Sequence, residues 1–496
     1  MQIVKCKNTN LPPHIRKKLI NGIFFKSLLC ISGKRVYLCR NSCHETDTRY
    51  RFHDFSIPRD GSLSCLFFVP MEETFVLKSA TLSTEQGLLP GRDVLLENGR
   101  IQAVGKGIAI PAGSRVIDGR GWLLSYGFAD LHVHFREPGA PQKETIRTGT
   151  LAAARGGFTA VCAMPNLNPA PDSPETLAKE QEIIDRDACI AVLPYATITC
   201  GRRGEKVVDM AALQGRCVAF SDDGSGVQRE AVMLEAMRRA AELDCIIAAH
   251  CEDDTLLRGG YIHDGRWCAA HGHRGICSES EWRPIARDLE LAARTGCRYH
   301  ICHLSTKEGV ALVREAKRSG VRVTCETAPH YLVLCEDELQ EDGRFKMNPP
   351  LRSAEDRDAL REGLADGTID AVATDHAPHT AAEKSRGLAG SAMGIVGLET
   401  AFPVLYTTLV RGGIIRLERL LDALCAGPRR IFRIGGSLQE GERADLTLID
   451  LSASTRIDSR SFLSMGRATP FDGMPVEAAV RATWKDGRLV WNDLPL

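Results

Sequence analysis

From residue 124 to residue 437 the chain alternates short apolar runs of strand character with longer stretches of helical periodicity, and this alternation restricts the fold more than any other feature. The runs include "FTAVCAMP", "CVAFSDDG", "CIIAAHCE", "RYHICHLS", "VRVTCETAPH" and "DAVATDHAPH"; "REAVMLEAMRRAAELD", "SEWRPIARDLELAARTG" and "TKEGVALVREAKRSG" lie between them. Strands separated by helices build a parallel sheet, because parallel neighbours need a crossover long enough to hold a helix. Each apolar run also ends in a polar or ionisable residue. Roughly 300 residues of this texture predict the α/β class and a (β/α)8 TIM-type barrel, whose chemistry gathers at the carboxyl ends of its strands. A doubly wound sheet is the competitor, but no Gly-rich phosphate fingerprint follows a first strand.

The flanks have a different texture. After Met71, "MEETFVLKSATL" alternates like a strand, and "DVLLENGRIQAVG" predicts two strands joined at Asn98-Gly99, the strongest short hairpin signal. After about residue 438, "GERADLTLIDL" and "EAAVRATWKDGRLVW", with Asp486-Gly487 as its turn, repeat the pattern. Residues 71–123 and 438–496 are therefore expected to form one small β domain, built from both ends of the chain and flanking a barrel over 124–437. Residues 1–70 are basic, Cys-rich and poorly periodic. They are expected to be a disordered extension or text upstream of a true start at Met71, and composition favours the second. A targeting peptide fits less well, because acidic residues interrupt the segment and a long amphipathic Arg/Ser pattern is missing.

Charge and cysteine usage narrow the partners. The 496 residues carry 63 basic and 63 acidic side chains, so no net charge recruits nucleic acid or a membrane surface. A small-molecule partner is favoured. No run reaches the roughly 18 apolar residues of a spanning helix, and no signal-peptide core precedes a cleavage site, so the cytoplasm is the expected location. The 18 cysteines are scattered singly, often within apolar runs, as reduced core residues are.

The strand ends can then be taken together. In "FADLHVHFREPG", His132 and His134 lie two apart, so an extended strand points both imidazoles to one face. Asp223 ends "AFSDD", His250 ends "IIAAH", His303 ends "HICH" and Asp375 ends "VATD". A lone histidine at a strand end is usually a hydrogen-bonded core residue, but six ligand-type residues at the same end of successive strands point to a metal site. Neutral nitrogens with anionic oxygens suit Zn²⁺ or a related ion, and the set is large enough for two ions bridged by a carboxylate. The second HxH, His271 and His273 in "WCAAHGHRGI", straddles a glycine in a loop-like stretch, and His263 shares that context. These three are expected to be structural or solvent-facing. Cys251 and Cys302, adjacent to His250 and His303, are expected on the opposite strand face, against helices.

The motifs "DLHVHFREPG", "AMPN", "FSDDG", "AHCE", "HICHLS", "TAPHYL", "FKMNPPLR" and "ATDHAPH" occur in this order, and through them the chain from about Met71 to Asn492 resembles the bacterial dihydroorotases of the amidohydrolase superfamily. The resemblance implies a binuclear zinc site, with two Zn²⁺ per subunit: His132, His134 and Asp375 on the first ion, His250 and His303 on the second, and Asp223 as the bridge. Many relatives use a carbamylated lysine there; "FSDDG" resembles the branch that uses aspartate, with Asp222 facing away. It further implies interconversion of N-carbamoyl-L-aspartate and dihydroorotate in pyrimidine biosynthesis, using a water activated by the metals.

In that chemistry Asp375 takes the proton of the water and passes it to the leaving ring nitrogen. Arg136 follows His134 on the same side and can clamp the substrate carboxylate. The resemblance adds Asn166, Asn348 and His379 to the substrate shell. Met393-Gly394 stands where the family commonly has an aromatic-glycine pair; a polarizable thioether can still cover a flat ring. A homodimer and an association with aspartate transcarbamoylase are both compatible with this family. The rivals are a hydantoinase, dihydropyrimidinase or allantoinase, a non-catalytic scaffold for aspartate transcarbamoylase, and a metal-free metabolite-binding barrel. Arg136, Asn166, Asn348 and the aspartate bridge argue against the first, and the six retained ligands against the others.

Overall fold

The strand Phe128–Val133 buries all six of its residues, "FADLHV", and so does Phe158–Ala163, "FTAVCA". Strands apolar on both faces belong in sheets covered on both sides, the usual setting of parallel pairing. In the computed structural model, which describes residues 27–32, 35–40, 73–84 and 86–494, Phe128–Val133, Phe158–Ala163 and Ala191–Pro194 do pair in parallel, in that order. A second parallel set runs Ile246–Ala249, Arg298–Ile301, Val323–Thr327 and Ala371–Val372. Single parallel bridges join Ala196 to Phe220 and Phe220 to Ile247, and another joins Val133 to His376.

The strand expected in "CVAFSDDG" is thus reduced to bridges at Phe220. Its ladder spans only Val218 to Ser221, with Val218 N donating to Pro194 O and Ser221 N to Ala196 O, both at 2.9 Å, on one side, and Ala248 N donating to Phe220 O at 2.8 Å on the other. Beyond it, the Asp222 carboxylate takes the amides of Ile198 (2.8 Å) and Thr199 (3.1 Å), which a longer strand would have paired.

Helices fill the crossovers: Ile146–Arg155, Pro174–Asp187, Glu230–Glu242, Glu279–Thr295, Lys307–Arg318 and Ala354–Asp366. Thr145, Ser173 and Ser353 start three of them with capping boxes, each satisfying free amides of the first turn. Leu131, Met164, Tyr195, Ala219, Ala248, Cys302 and Ala373, from successive strands or strand ends, form one buried cluster with Ile431 and Phe432.

Strands from both ends of unit 74–496 meet in one eight-stranded sheet. Its order is Arg488–Asn492, Pro475–Lys485, Leu446–Arg456, Trp122–Tyr126, Phe75–Thr84, Gly87–Glu97 and Arg100–Gly105, with Arg115–Asp118 also pairing Phe75–Thr84. Asn98-Gly99 (φ 52° and 74°) and Asp486-Gly487 (φ 51° and 74°) make the two tight turns, in the left-handed conformation such hairpins require. Apart from this sheet, Ser27–Ser32 pairs antiparallel with Arg35–Arg40. The rest of the 1–70 expectation lies outside the described residues. No described helix is long and apolar enough to cross a membrane. Cys162, Cys251, Cys268, Cys297, Cys302, Cys325, Cys335 and Cys425 are buried free thiols.

Candidate metal and substrate site

His132 leaves the strand Phe128–Val133 with its imidazole buried, and its Nδ1 lies 3.0 Å from Glu326 Oε1. That contact turns Nε2 toward Asp223 Oδ1 (3.3 Å) and Asp375 Oδ1 (3.6 Å). The strand has ended when the chain reaches His134, which is held by its amide donating to His376 O at 2.9 Å. His134 Nδ1 meets Asn166 Oδ1 at 2.8 Å, leaving Nε2 3.0 Å from Asp375 Oδ1 and 3.5 Å from Asp223 Oδ2. From the other side, His250 Nδ1 and His303 Nε2 lie 2.9 Å apart, and 3.7 and 3.5 Å from Asp223 Oδ1. The structure therefore brings all six expected ligands together, with Asp223 between the two histidine pairs.

Three residues at this site have left-handed backbone: Arg136 (φ 61°), His303 (φ 36°) and Asp375 (φ 47°). Side chains other than glycine rarely adopt it, and such strain gathers at functional sites. It also corrects the expectation for Cys302. Strand alternation would put His303 and Cys302 on opposite faces, but the left-handed turn at His303 brings both inward, and Cys302 Sγ lies within 4.8 Å of a ring nitrogen of His132 and a carboxylate oxygen of Glu326. Cys251 does face outward, its sulfur 3.2 Å from Tyr299 Oη. The same conformation, and not strand alternation, delivers Arg136, whose Nε donates to Pro378 O at 3.3 Å.

The donor set fits a cation. Two ligands each about 2.1 Å from a tetrahedral ion lie about 3.4 Å apart, close to the separations around Asp223. His132, His134 and Asp223 form one group able to hold a metal ion, and Asp223, His250 and His303 another. His132 Nε2 and Asp223 Oδ1 are buried without a hydrogen-bond partner, a costly arrangement that a bound cation relieves. Burial pushes the Asp223 carboxyl up, but the imidazoles of His132, His303 and His134 around it outweigh this and hold the carboxyl well below its ordinary range. Asp375 is depressed in the same way, chiefly by its hydrogen bond to His134 against the cost of burial.

The remaining expected residues surround this core. Asp222 faces away, its carboxylate occupied by Ile198 and Thr199. Asn348 Nδ2 donates to Glu252 Oε1 at 2.9 Å, and Glu252 Oε2 lies 3.4 Å from His250 Nε2. His379 Nε2 is 2.8 Å from Met393 O and its Nδ1 is 3.2 Å from Lys143 Nζ. Burial first, then the charges of Arg136 and Lys143, bring His379 down to about 3, so it is neutral and donates through Nε2. Gly394 (φ 130°) must be glycine, since a Cβ would stand 2.6 Å from Ala377 O. The Met393 side chain packs partly buried against the main core.

His271 and His273 both stack against Trp267, with ring centroids 3.9 and 5.2 Å away. His273 also meets Tyr261 Oη at 2.8 Å, and His263 is buried. Sequence reasoning passed over Glu326, Glu252 and Lys143. Glu326 ends the apolar run "VTCE" as the ligands end theirs, and that signal was available; Glu252 lies two residues past His250, and Lys143 sits in a loop with no pattern to mark it.

A family model described as "Dihydro-orotase-like" matches residues 121–309. A dihydroorotase of Geobacillus sp. (strain WCH70) is 51% identical over 420 residues, covering 84% of this chain and 98% of that protein. The chain belongs to the dihydroorotase family. A dihydroorotase of Bacillus caldolyticus is likewise 51% identical, over 419 residues and 98% of its length. Among solved structures, an L-hydantoinase (dihydropyrimidinase) from Arthrobacter aurescens has a TM-score of 0.76 at 26% identity, covering 85% of this chain and 97% of its own. A dihydropyrimidinase from Brevibacillus agri NCHU1002 has a TM-score of 0.75 at 22% identity, covering 85% and 95%, a likeness of fold alone. This dihydroorotase-family chain thus shares its fold with enzymes named for uncharged rings, and what separates them must lie in the side chains around the site.

Proposed function

We propose that the protein catalyses the dihydroorotase reaction, the reversible cyclisation of N-carbamoyl-L-aspartate to dihydroorotate and water, at a site holding two Zn²⁺. The observation that carries this reading is a guanidinium, Arg136, placed beside the cluster of four imidazoles and two carboxylates, where an uncharged cyclic amide would need none. The scaffold is a closed (β/α)8 barrel over residues 124–437, flanked by a small β domain of residues 71–123 and 438–496. The parallel bridge from Val133 to His376, between the first and last strands, supports closure.

In this reading His132, His134 and Asp375 hold one ion, His250 and His303 the other, and Asp223 lies between them. When bound, the ions lower the pKa of water and polarise the amide carbonyl. Asp375 accepts a proton from the attacking water as the new C–O bond forms, and returns it to the ring nitrogen as the C–N bond breaks. In the biosynthetic direction the same carboxylate removes a proton from the carbamoyl nitrogen. Arg136 orients the substrate by its carboxylate throughout.

The test is hydrolysis of dihydroorotate beside dihydrouracil, hydantoin and allantoin by the zinc-loaded protein. The expected result is turnover of dihydroorotate at least about a hundredfold above the rest in kcat/KM, since a site built for a charged group rejects rings without it. Equal or better use of the uncharged rings refutes the proposal.

Glu326 has a consequence of its own. A carboxylate behind a ligating imidazole fixes its tautomer and raises its basicity, and losing it typically weakens metal affinity 10–100-fold. Glu326→Ala is therefore expected to release zinc to a chelator at about a tenth or less of the concentration the parent protein needs, measured by competition with a chromogenic chelator. Unchanged release would mean that His132 is held without Glu326.

A further inference from the structure

The two asparagines of the site are held with opposite polarity. Asn166 spends its amide oxygen on His134 Nδ1 at 2.8 Å, which leaves its NH₂ group to donate. Asn348 spends its NH₂ on Glu252 Oε1 at 2.9 Å, and its oxygen Oδ1 is buried with no partner. Amide oxygen and nitrogen are easily confused by shape, but chemistry fixes both here. A carboxylate only accepts, so Asn348 must turn its NH₂ to Glu252; a histidine that gives Nε2 to a metal ion, as in the reading above, carries its proton on Nδ1, so Asn166 turns its oxygen to His134.

We propose that Glu252 is a positioning residue that locks Asn348 with its oxygen toward the substrate, so that Asn348 accepts the N–H of the ring that is not cleaved while Asn166 and Arg136 donate to the carboxylate. This rests on the dihydroorotase reading given above. Dihydroorotate has two ring N–H groups: the scissile nitrogen exchanges its proton with Asp375, and the other needs an acceptor. Asn348 Oδ1 supplies one, and leaving it unpaired costs free energy that the correct ring recovers on binding. A donor at this position would face another donor.

Glu252→Gln tests this because a glutamine cannot serve both neighbours as the carboxylate does. With Glu252 Oε2 facing His250 Nε2 at 3.4 Å, the glutamine oxygen is claimed by that N–H. Its NH₂ then faces Asn348 and forces the amide to flip. The measurements are KM and kcat for dihydroorotate, zinc content, and inhibition by the dihydroorotate analogue whose uncleaved ring N–H is replaced by oxygen. In E252Q, assayed at saturating zinc so that any loss of affinity through His250 does not empty the site, we expect KM raised about tenfold with kcat altered less than about threefold, and the oxygen analogue bound as tightly as in the parent or tighter. Asn348→Ala should remove discrimination between N–H and oxygen rings, and the double variant should match N348A alone. N348A also carries the test if E252Q does not fold. A parent-like KM in E252Q, or N–H discrimination retained in N348A, overturns the inference. Failure of the parent protein to turn over dihydroorotate would instead overturn the reading of function on which it rests.

Discussion

Replacing Asp375 with alanine is expected to lower kcat for dihydroorotate hydrolysis by about a thousandfold or more, while much of the bound zinc remains. General acid–base groups are worth roughly 10²- to 10⁴-fold, and in the proposed mechanism this carboxylate serves both halves of the proton transfer. Its Oδ1 is 3.0 Å from His134 Nε2 and 3.6 Å from His132 Nε2, at the edge of the cluster, whereas Asp223 sits between the two histidine pairs. Five ligand side chains therefore survive the substitution. Asp375→Asn is the sharper variant, because it keeps the shape and one oxygen but cannot carry the proton. Steady-state kinetics with metal analysis of the same preparations decides the matter. If either variant retains turnover within tenfold of the parent, Asp375 is a ligand only and the proton moves elsewhere. If zinc is lost in proportion to activity, its role is to hold the ion.

What the sequence made legible follows from what periodicity can and cannot carry. The residues of the cluster were visible because each ends an apolar run, and parallel strands bring such ends to one edge. Their facing was less visible. His303 and Asp375 reach the site through left-handed backbone, a conformation that strand alternation does not encode, which is why Cys302 was placed on the wrong face. Asp223 points into the cluster and Asp222 away from it, yet the local strand is only a bridge at Phe220, and it is the capture of the Asp222 carboxylate by Ile198 and Thr199 that orients the pair. The turns at Asn98-Gly99 and Asp486-Gly487 could be read directly, because the dipeptide itself dictates φ. Glu252 and Lys143 could not, since each acts on a residue distant in sequence: Asn348 and His379.

Arg136→Met is expected to separate the charged substrate from the uncharged ones. Methionine keeps a long apolar stem and removes the donors, so packing is disturbed little while the charge-assisted hydrogen bonds to the carboxylate are lost. Such bonds contribute about 1.5–3 kcal/mol each, and a two-pronged clamp predicts a fall of at least about a hundredfold in kcat/KM for dihydroorotate. For dihydrouracil, which has no carboxylate, the same variant should differ from the parent by less than about fivefold, because the guanidinium offers that ring no differential binding. The surroundings of Arg136 make the comparison clean. Its Nε rests on Pro378 O, and His379, the nearest imidazole, is neutral and committed to Met393 O and Lys143, so no buried carboxylate is left unpaired when the guanidinium goes. Kinetics of both rings on one preparation, with zinc content as the control, provide the measurement. Equal losses on the two substrates would show that Arg136 supports the site as a whole and that the carboxylate is recognised by other groups.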